Sequence, residues 1–464
     1  MLIYFSAENF RSIKNEVVLD MRTAPRLRRL PHHTAKPLEK KEPKLSVLRS
    51  ALIYGTNASG KSNIVKAISF VKDCVLLKNS AINGVKSEPF KLIEEINTES
   101  KFYIEFVSLG NHIGFGFSLD KERVLNEYLY LITDDAEYCI YERTFDSESQ
   151  SYVIRTDVEN SDDDDDDDDD AKDLISQMSD FLLLSKYTAK NRLLLSEAIE
   201  KDLANSMPRL KDLLLPPVYF FKGKLQVIFP GSSYGGIHRD IIDKEDGCSD
   251  YAQLLNRFDT GVTGICSQNV DINSLPELVI QQVEEKLKIN KSYPATYKGI
   301  RYNFNLNEKS EIIASKIITN RTINNSKIIP FELSEESDGT CRLLDLLPVI
   351  TAKEIENEHT GRVYVIDEFN RSLHPSISKD FLSIFLNGKM SHPQDQLIVT
   401  THESHLLDSE LLRRDEIWFI QKEDDQSSIL YSLNDYSERF DKDIRKAYLT
   451  GSYGAIPMGE YKRD

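Results

Sequence analysis

The chain has 464 residues, a length that predicts two or three domains, and its content of 40% hydrophobic and 29% charged residues is typical of a folded, water-soluble protein. It has no apolar run near the ~18 residues that span a membrane and no signal peptide before Phe10. Its five cysteines are scattered and form no C-x-x-C pair. These features predict a cytoplasmic protein with no membrane partner. The net charge is −17, and the nine charges of Asp162–Asp170 leave −8 for the rest, so DNA contact is possible but not indicated by charge.

The N-terminal region predicts short strands that lead into a helix. Apolar runs at Leu2–Phe5 and Val17–Leu19 are followed by a third run, Ser50–Tyr54, which continues directly into a glycine-containing loop. Further along, Phe102–Ile154 contains several short β-rich segments separated by charged turns. These segments predict an antiparallel sheet.

The loop after the third run carries the strongest motif of the sequence. Gly55–Ser62 reads G-x-x-x-x-G-K-S and lies between an apolar strand and the helical stretch Asn63–Val71, as a phosphate-binding loop requires. Its backbone N–H groups would surround phosphates at a helix N-terminus, Lys61 would reach the β and γ phosphates, and the Ser62 hydroxyl would bind Mg²⁺. The sequence therefore predicts ATP and Mg²⁺ as ligands. The candidate cofactor-binding residues of this loop are Gly55, Asn57, Gly60, Lys61, Ser62 and Asn63.

The middle of the chain predicts a linker and a helical insertion. The adjacent aspartates Asp162–Asp170 repel one another and predict an extended, solvated segment, with an acidic tail of independent function as the alternative. Apolar residues recur at mostly helical spacing over 171–215, and Ser274 with Glu277 forms a capping-box pattern before another helix. From Ile328 onward strands alternate with helices, which predicts a mostly parallel α/β lobe. The predicted units are 1–160, the N-terminal part of the head with the β lobe; 161–170, the acidic linker; 171–295, the helical insertion; and 296–464, the C-terminal part of the head.

Two late apolar strands end in side chains suited to hydrolysis. Val363–Ile366 is followed by Asp367, which would hold the metal, and by Glu368, which would accept a proton from an attacking water. An acidic turn after a buried strand can be purely structural, but beside a phosphate-binding loop it predicts a hydrolytic site. Gln396–Thr401 precedes His402, which would bond the γ-phosphate and orient the base, although a lone histidine is more often structural. The candidate catalytic residues are Lys61, Glu368 and His402, and the candidate metal ligands are Ser62 and Asp367.

Between the loop and the acids, Ser334–Thr340 precedes a helical stretch and resembles the signature motif of ABC-type ATPases. Ser337 and Gly339 match that motif, whereas Asp338 and Thr340 stand where glycine and glutamine are usual. The resemblance implies that Ser337, Gly339 and the helix N-terminus bind ATP by covering the γ-phosphate held by a second protomer. Such contacts would produce a homo-oligomer built from head-to-tail ATP-sandwich dimers.

The order of the motifs resembles that of an ABC ATPase head. This resemblance implies an α/β fold with a mixed or parallel sheet lobe, an antiparallel β lobe and a helical insertion. Glu8–Ser12, Asp367–Pro375 and Tyr453–Pro457 further resemble the bacterial AAA15 group, which is related to the heads of OLD nucleases and of SMC and RecF proteins. Similar positions in SMC-like heads imply that Arg11 reaches a phosphate of the nucleotide, with an ordinary surface charge as the alternative.

The AAA15 resemblance implies a nucleotide-dependent switch, because that group includes ATPase subunits of phage-defence and abortive-infection modules. We therefore expect an ATPase that responds to a phage-derived trigger and controls a separate effector protein, either a nuclease or a toxin. The alternative is a RecF- or SMC-like DNA-binding ATPase in repair or recombination. The basic stretch from Arg26 to Lys44 could contact nucleic acid or form a solvated loop.

Overall fold

The computed structural model describes most of the chain. The described residues are 1–25, 27–38, 45–77, 87–93, 99–158, 169–231, 247–287, 292–298, 300–307, 309–324, 327–351, 361–388, 391–436 and 443–456. Most of the predicted acidic linker lies outside them, since only 169–170 are described and these begin a helix. Pro457 and part of the basic stretch, residues 26 and 39–44, also lie outside the described residues.

The elements are numbered in chain order. The strands are β1 (Leu2–Glu8), β2 (Val17–Asp20), β3 (Thr34–Ala35), β4 (Val47–Leu48), β5 (Ser50–Tyr54), β6 (Ser100–Ser108), β7 (Asn111–Leu119), β8 (Val124–Ile132), β9 (Glu137–Asp146), β10 (Ser151–Arg155), β11 (Leu225–Ile228), β12 (Gly264–Val270), β13 (Ser292–Tyr297), β14 (Ile300–Leu306), β15 (Ile312–Ile323), β16 (Lys327–Glu332), β17 (Val363–Ile366), β18 (Gln396–Thr401), β19 (Ile417–Lys422) and β20 (Ser428–Ser432). The helices are α1 (Lys61–Leu76), α2 (Asp169–Tyr187), α3 (Leu194–Glu200), α4 (Leu203–Ser206), α5 (Lys211–Tyr219), α6 (Gly247–Arg257), α7 (Glu277–Leu287), α8 (Asp338–Ile350), α9 (Pro375–Leu386) and α10 (Ile444–Leu449).

A seven-stranded antiparallel sheet forms one lobe. Its strand order is β10-β9-β8-β7-β6-β1-β2, and every neighbouring pair is antiparallel. Side chains from these strands pack against the helical segment that follows, as where the ring of Phe106 stacks on Phe220 with centroids 4.0 Å apart. The antiparallel lobe predicted from the β-rich segments is therefore confirmed.

A six-stranded, mostly parallel sheet carries the phosphate-binding loop. Its order is β11-β17-β18-β5-β19-β20, and only β20 is antiparallel to its neighbour. Successive residues of β5 face different hydrophobic cores, with Ile53 in the core shared with the antiparallel lobe and Leu52 in the other. Because parallel strands end at one edge of the sheet, the loop after β5 meets the turns after β17 and β18. The predicted α/β fold, with a mostly parallel sheet and an antiparallel β lobe, is confirmed.

A third sheet has five strands. Its strand order is β12-β15-β14-β13. Strand β12 occupies one edge of β15, and both β14 and β16 pair along the other edge. The predicted helical insertion, 171–295, is thus only partly helical: it also contains β12 and β13 of this sheet, and β11 of the parallel sheet. The helical spacing detected over 171–215 did not extend to these short strands. The four-unit division of the chain itself stays a prediction. No described helix is long and apolar enough to cross a bilayer.

Candidate functional site

The loop between β5 and α1 is built for close backbone approach. Gly60 has φ 108°, and a Cβ there would lie only 2.2 Å from Oγ of Ser428. The next residue, Lys61, is buried, and its Nζ donates to the carbonyl oxygens of Gly55 and Thr56, both at 2.7 Å. Desolvation lowers the pKa of Lys61 to about 8, although the nearby carboxylates act in the opposite direction. This lysine therefore bonds to two carbonyl groups of its own loop.

The first acid after β17 lies next to the start of α1. The Ser62 hydroxyl donates to Oδ1 of Asp367 at 3.1 Å, and the Thr400 hydroxyl on β18 donates to the same oxygen at 2.7 Å. Asp367 is 4% exposed. An alcohol oxygen and a carboxylate oxygen that converge in this way are the hard ligands that Mg²⁺ prefers. Ser62 and Asp367 therefore fit a magnesium ion bound together with phosphate.

The second acid, Glu368, has an unusual backbone. Its φ is 47°, in the left-handed region, which costs on the order of 1–3 kcal/mol for a residue other than glycine. The turn is held by a hydrogen bond from its amide to Thr400 Oγ1 at 2.8 Å. The side chain is 44% exposed, and Nη1 of Arg371 lies 3.9 Å from its Oε2. The carboxylate is thus fixed at its base and open to water at its end.

His402 follows β18 and faces the loop. Its ring bonds to the backbone of Gly55, while partial burial and the positive charge of Lys61 lower its pKa below the ordinary histidine value. The imidazole is therefore neutral near pH 7, so one ring nitrogen can donate and the other can accept.

These residues surround a single cleft of about 570 Å³, within the usual range for small-molecule sites. Two of its lining residues bond to predicted residues just outside it, Ser62 to Asp367 and Lys61 to the Gly55 carbonyl. The lining residues are Ser12, Asn57, Ala58, Gly60, Lys61, Ser62, Asn63, Glu368, His402 and Lys422.

Five predicted residues do not line this cleft. Gly55 and Asp367 bond to Lys61 and Ser62 of its lining, whereas Ser337, Gly339 and Arg11 make other contacts. Ser337 caps α8, where its Oγ accepts from the Thr340 amide at 3.1 Å, and Gly339 packs so closely that a Cβ would lie 2.8 Å from the carbonyl of Ser372. Arg11 forms an ion pair with Glu88, with Nη2 and Oε2 2.7 Å apart. It lines a neighbouring cleft of about 930 Å³.

Sequence reasoning missed several side chains that hold the site together. The hydroxyl of Thr400 bonds to both acids, whereas the next hydroxyl, that of Thr401, points to the opposite side of the strand and bonds to Asn370. Ser12 accepts from Nδ2 of Asn63 at 2.7 Å, and its Oγ lies 2.8 Å from Oγ of Ser428. The alternation could have identified Thr400, whereas no local signal connects residues 12, 63 and 428.

The sequence matches one protein-family model over residues 50–408, and that model is described as an AAA domain, putative AbiEii toxin, type IV toxin–antitoxin system. A search of curated proteins gives no significant match. Among solved structures, the SMC head domain from Thermotoga maritima is 14% identical, with 93% of this chain and 98% of that chain covered and a TM-score of 0.36. An SMC head bound to the C-terminal winged-helix domain of ScpA is 13% identical, with 93% and 97% covered and a TM-score of 0.38.

Proposed function

The chain belongs to this family of AAA domains, and from that premise we propose that it is a Mg²⁺-dependent ATPase that converts ATP and water to ADP and phosphate. One observation carries the proposal: Ser62 on the phosphate loop donates to Asp367 at 3.1 Å, and Glu368, the next residue, opens into the same cleft. Metal ligand, phosphate cradle and general base thus lie within one site.

In the proposed reaction, Lys61 exchanges its two backbone carbonyl partners for the β and γ phosphates. The loop amides and the N-terminus of α1 stabilise the negative charge. Ser62 and Asp367 would hold a Mg²⁺, which would supply charge neutralisation at the phosphate oxygens. Glu368 accepts the proton of the attacking water, and neutral His402 turns its single N–H from the Gly55 backbone to the γ-phosphate.

We further propose that the active form contains a head-to-tail dimer. Ser337 and Gly339 lie outside the cleft of their own chain, at the N-terminus of α8, where a serine hydroxyl and backbone amides can bind an anion. When a second chain places this helix end over the nucleotide, the γ-phosphate is enclosed between two protomers.

The cellular role we propose is that of a nucleotide-dependent switch in a bacterial anti-phage system. The family description, which refers to a toxin–antitoxin system, supports a role beside a separate effector, and a phage-derived trigger would act on the ATPase. The competing function is a DNA-binding ATPase of RecF or SMC type. Nucleotide-dependent DNA binding that weakens steeply with salt would favour that alternative.

The enzymatic proposal is tested with three variants. Glu368→Gln should bind ATP without hydrolysing it and accumulate the dimer, whereas Lys61→Ala and Ser337→Arg should each be inactive alone. A mixed dimer of the last two carries both lesions at one interface and none at the other, so mixing should restore ATP hydrolysis. If subunits exchange but activity does not return, the shared site is wrong. If the wild-type chain releases no phosphate from ATP and Mg²⁺, the ATPase proposal itself fails.

A further inference from the structure

A buried arginine connects the helix that begins at Ser337 with the turn that carries the two acids. Arg342 lies in the second turn of α8, five residues after Ser337, and is 6% exposed. Its Nη2 donates to the backbone carbonyl of Asp367 at 3.3 Å and to that of Glu368 at 3.2 Å. One guanidinium nitrogen therefore holds both carbonyls of the acidic turn.

These contacts fall where the backbone most needs support. Glu368 is in the left-handed region, so its conformation persists only if the surroundings fix it. Its amide is held by Thr400 and its carbonyl by Arg342 and by the Arg371 amide at 3.1 Å. Among these, the Arg342 contact is the only one that comes from α8, the helix proposed to cover another chain's nucleotide.

The burial of this arginine is costly and is not explained by packing. Its Nε and Nη1 are buried and have no hydrogen-bond partner in the described part of the chain, and burial lowers the pKa of the guanidinium. An apolar side chain of similar length would avoid this cost. The two contacts to the acidic turn are what such a side chain could not supply.

A second contact joins the same two segments. Gly339 in the first turn of α8 approaches the carbonyl of Ser372 so closely that a Cβ would lie 2.8 Å away. The start of α8 and the segment from Asp367 to Ser372 are therefore in contact at two points, through Gly339 and through the Arg342 guanidinium.

We propose that Arg342 is a positioning residue that sets the backbone of the proposed general base, Glu368, and joins this turn rigidly to α8. The helix end that covers the nucleotide of one protomer and the base that acts on the nucleotide of its own protomer then move as one unit. This inference rests on the proposed ATPase function and deepens it, because it assigns a role in hydrolysis to a residue that does not line the cleft.

The test separates closure of the dimer from hydrolysis. Arg342→Met in the otherwise wild-type chain should lower kcat about 10–100-fold while the Kd for ATP stays unchanged. Arg342→Lys, which keeps the charge on a shorter side chain, should recover part of kcat. In a Glu368→Gln background, adding Arg342→Met should leave ATP-dependent dimer formation intact.

The matched control is Arg301→Met. Arg301 makes a bidentate ion pair with Asp345 on the same helix, at 2.6 and 3.1 Å, but bonds to no atom of the acidic turn. It should destabilise the protein without lowering kcat per folded chain. The inference is overturned if Arg342→Met and Arg301→Met lower kcat equally, or if Arg342→Met also abolishes dimer formation. Absence of both hydrolysis by the wild type and dimer formation by Glu368→Gln would instead refute the proposed function.

Discussion

The hydroxyl of Thr400 lies 2.7 Å from Oδ1 of Asp367, across the pair of parallel strands β17 and β18. The same hydroxyl oxygen accepts the amide of Glu368 at 2.8 Å. One side chain on β18 therefore orients the carboxylate proposed to bind the metal and also supports the turn of the proposed base. Thr400→Val, which removes only the hydroxyl, should lower kcat about 10–100-fold and raise the Mg²⁺ concentration needed for half-maximal activity.

The neighbouring Thr401→Val is the control for this change. The Thr401 hydroxyl donates to Oδ1 of Asn370 at 3.0 Å and bonds to neither acid. We therefore expect Mg²⁺ titrations of its ATPase activity to overlay those of the wild type. Equal effects of the two substitutions would mean that Thr400 acts only through the stability of β18.

Removal of the loop lysine should abolish nucleotide binding. In Lys61→Ala the β and γ phosphates lose their cationic partner, and equilibrium titration with a fluorescent ATP analogue should show a loss of affinity of at least about 100-fold. Lys66→Ala, on the same helix but outside the cleft, should bind as the wild type does. Wild-type hydrolysis by the Lys61→Ala chain would show that this loop is not the active site.

Affinity for ATP should fall in alkaline solution because of the same lysine. Its pKa is about 8 in the free protein, and bound phosphates would raise it by favouring the charged form. Above pH 8, binding of ATP then takes up a proton. The affinity for ATP is therefore highest below pH 8 and declines by up to ~10-fold per pH unit above it. Calorimetry at pH 9 in two buffers of different ionisation enthalpy measures this uptake, and finding none would contradict the assignment.

Two glycines with positive φ should respond differently to alanine. Gly110 has φ 81° and open space around a Cβ, so Gly110→Ala should cost ~1 kcal/mol through backbone strain alone. Gly60→Ala adds a collision with Ser428 and should cost about 2–4 kcal/mol. Urea unfolding followed by fluorescence of Trp418, the single tryptophan, reports on β19 next to the loop strand. Equal shifts in midpoint for both variants would contradict the close approach.

The sequence allowed the fold class and the contiguous motifs to be predicted, because each motif lies within one strand–loop unit whose residue types carry its chemistry. Gly55–Ser62 and Asp367–Glu368 come together for a simple geometric reason, since parallel strands end at one edge of a sheet. Arg342 and Ser12 could not be found in this way, because their contacts depend on how distant segments pack. Strands β12 and β13 of the third sheet were missed because short strands give weak periodicity. The roles of all the predicted site residues stay predictions, including those of Lys61, Ser62, Asp367 and Glu368.

The position of β5 between β18 and β19 also has a consequence for synthesis of the chain. All strands of the antiparallel lobe have left the ribosome once Arg155 has emerged, whereas the neighbours of β5 begin only at Gln396 and Ile417. At typical rates of ~5–20 residues per second, the ~240 residues from Arg155 to Gln396 take on the order of 10–50 s to translate. Throughout that time the apolar strand beside the phosphate loop has two open edges, which makes it a binding site for chaperones. A nascent chain that stalls before Gln396 is therefore expected to aggregate through β5.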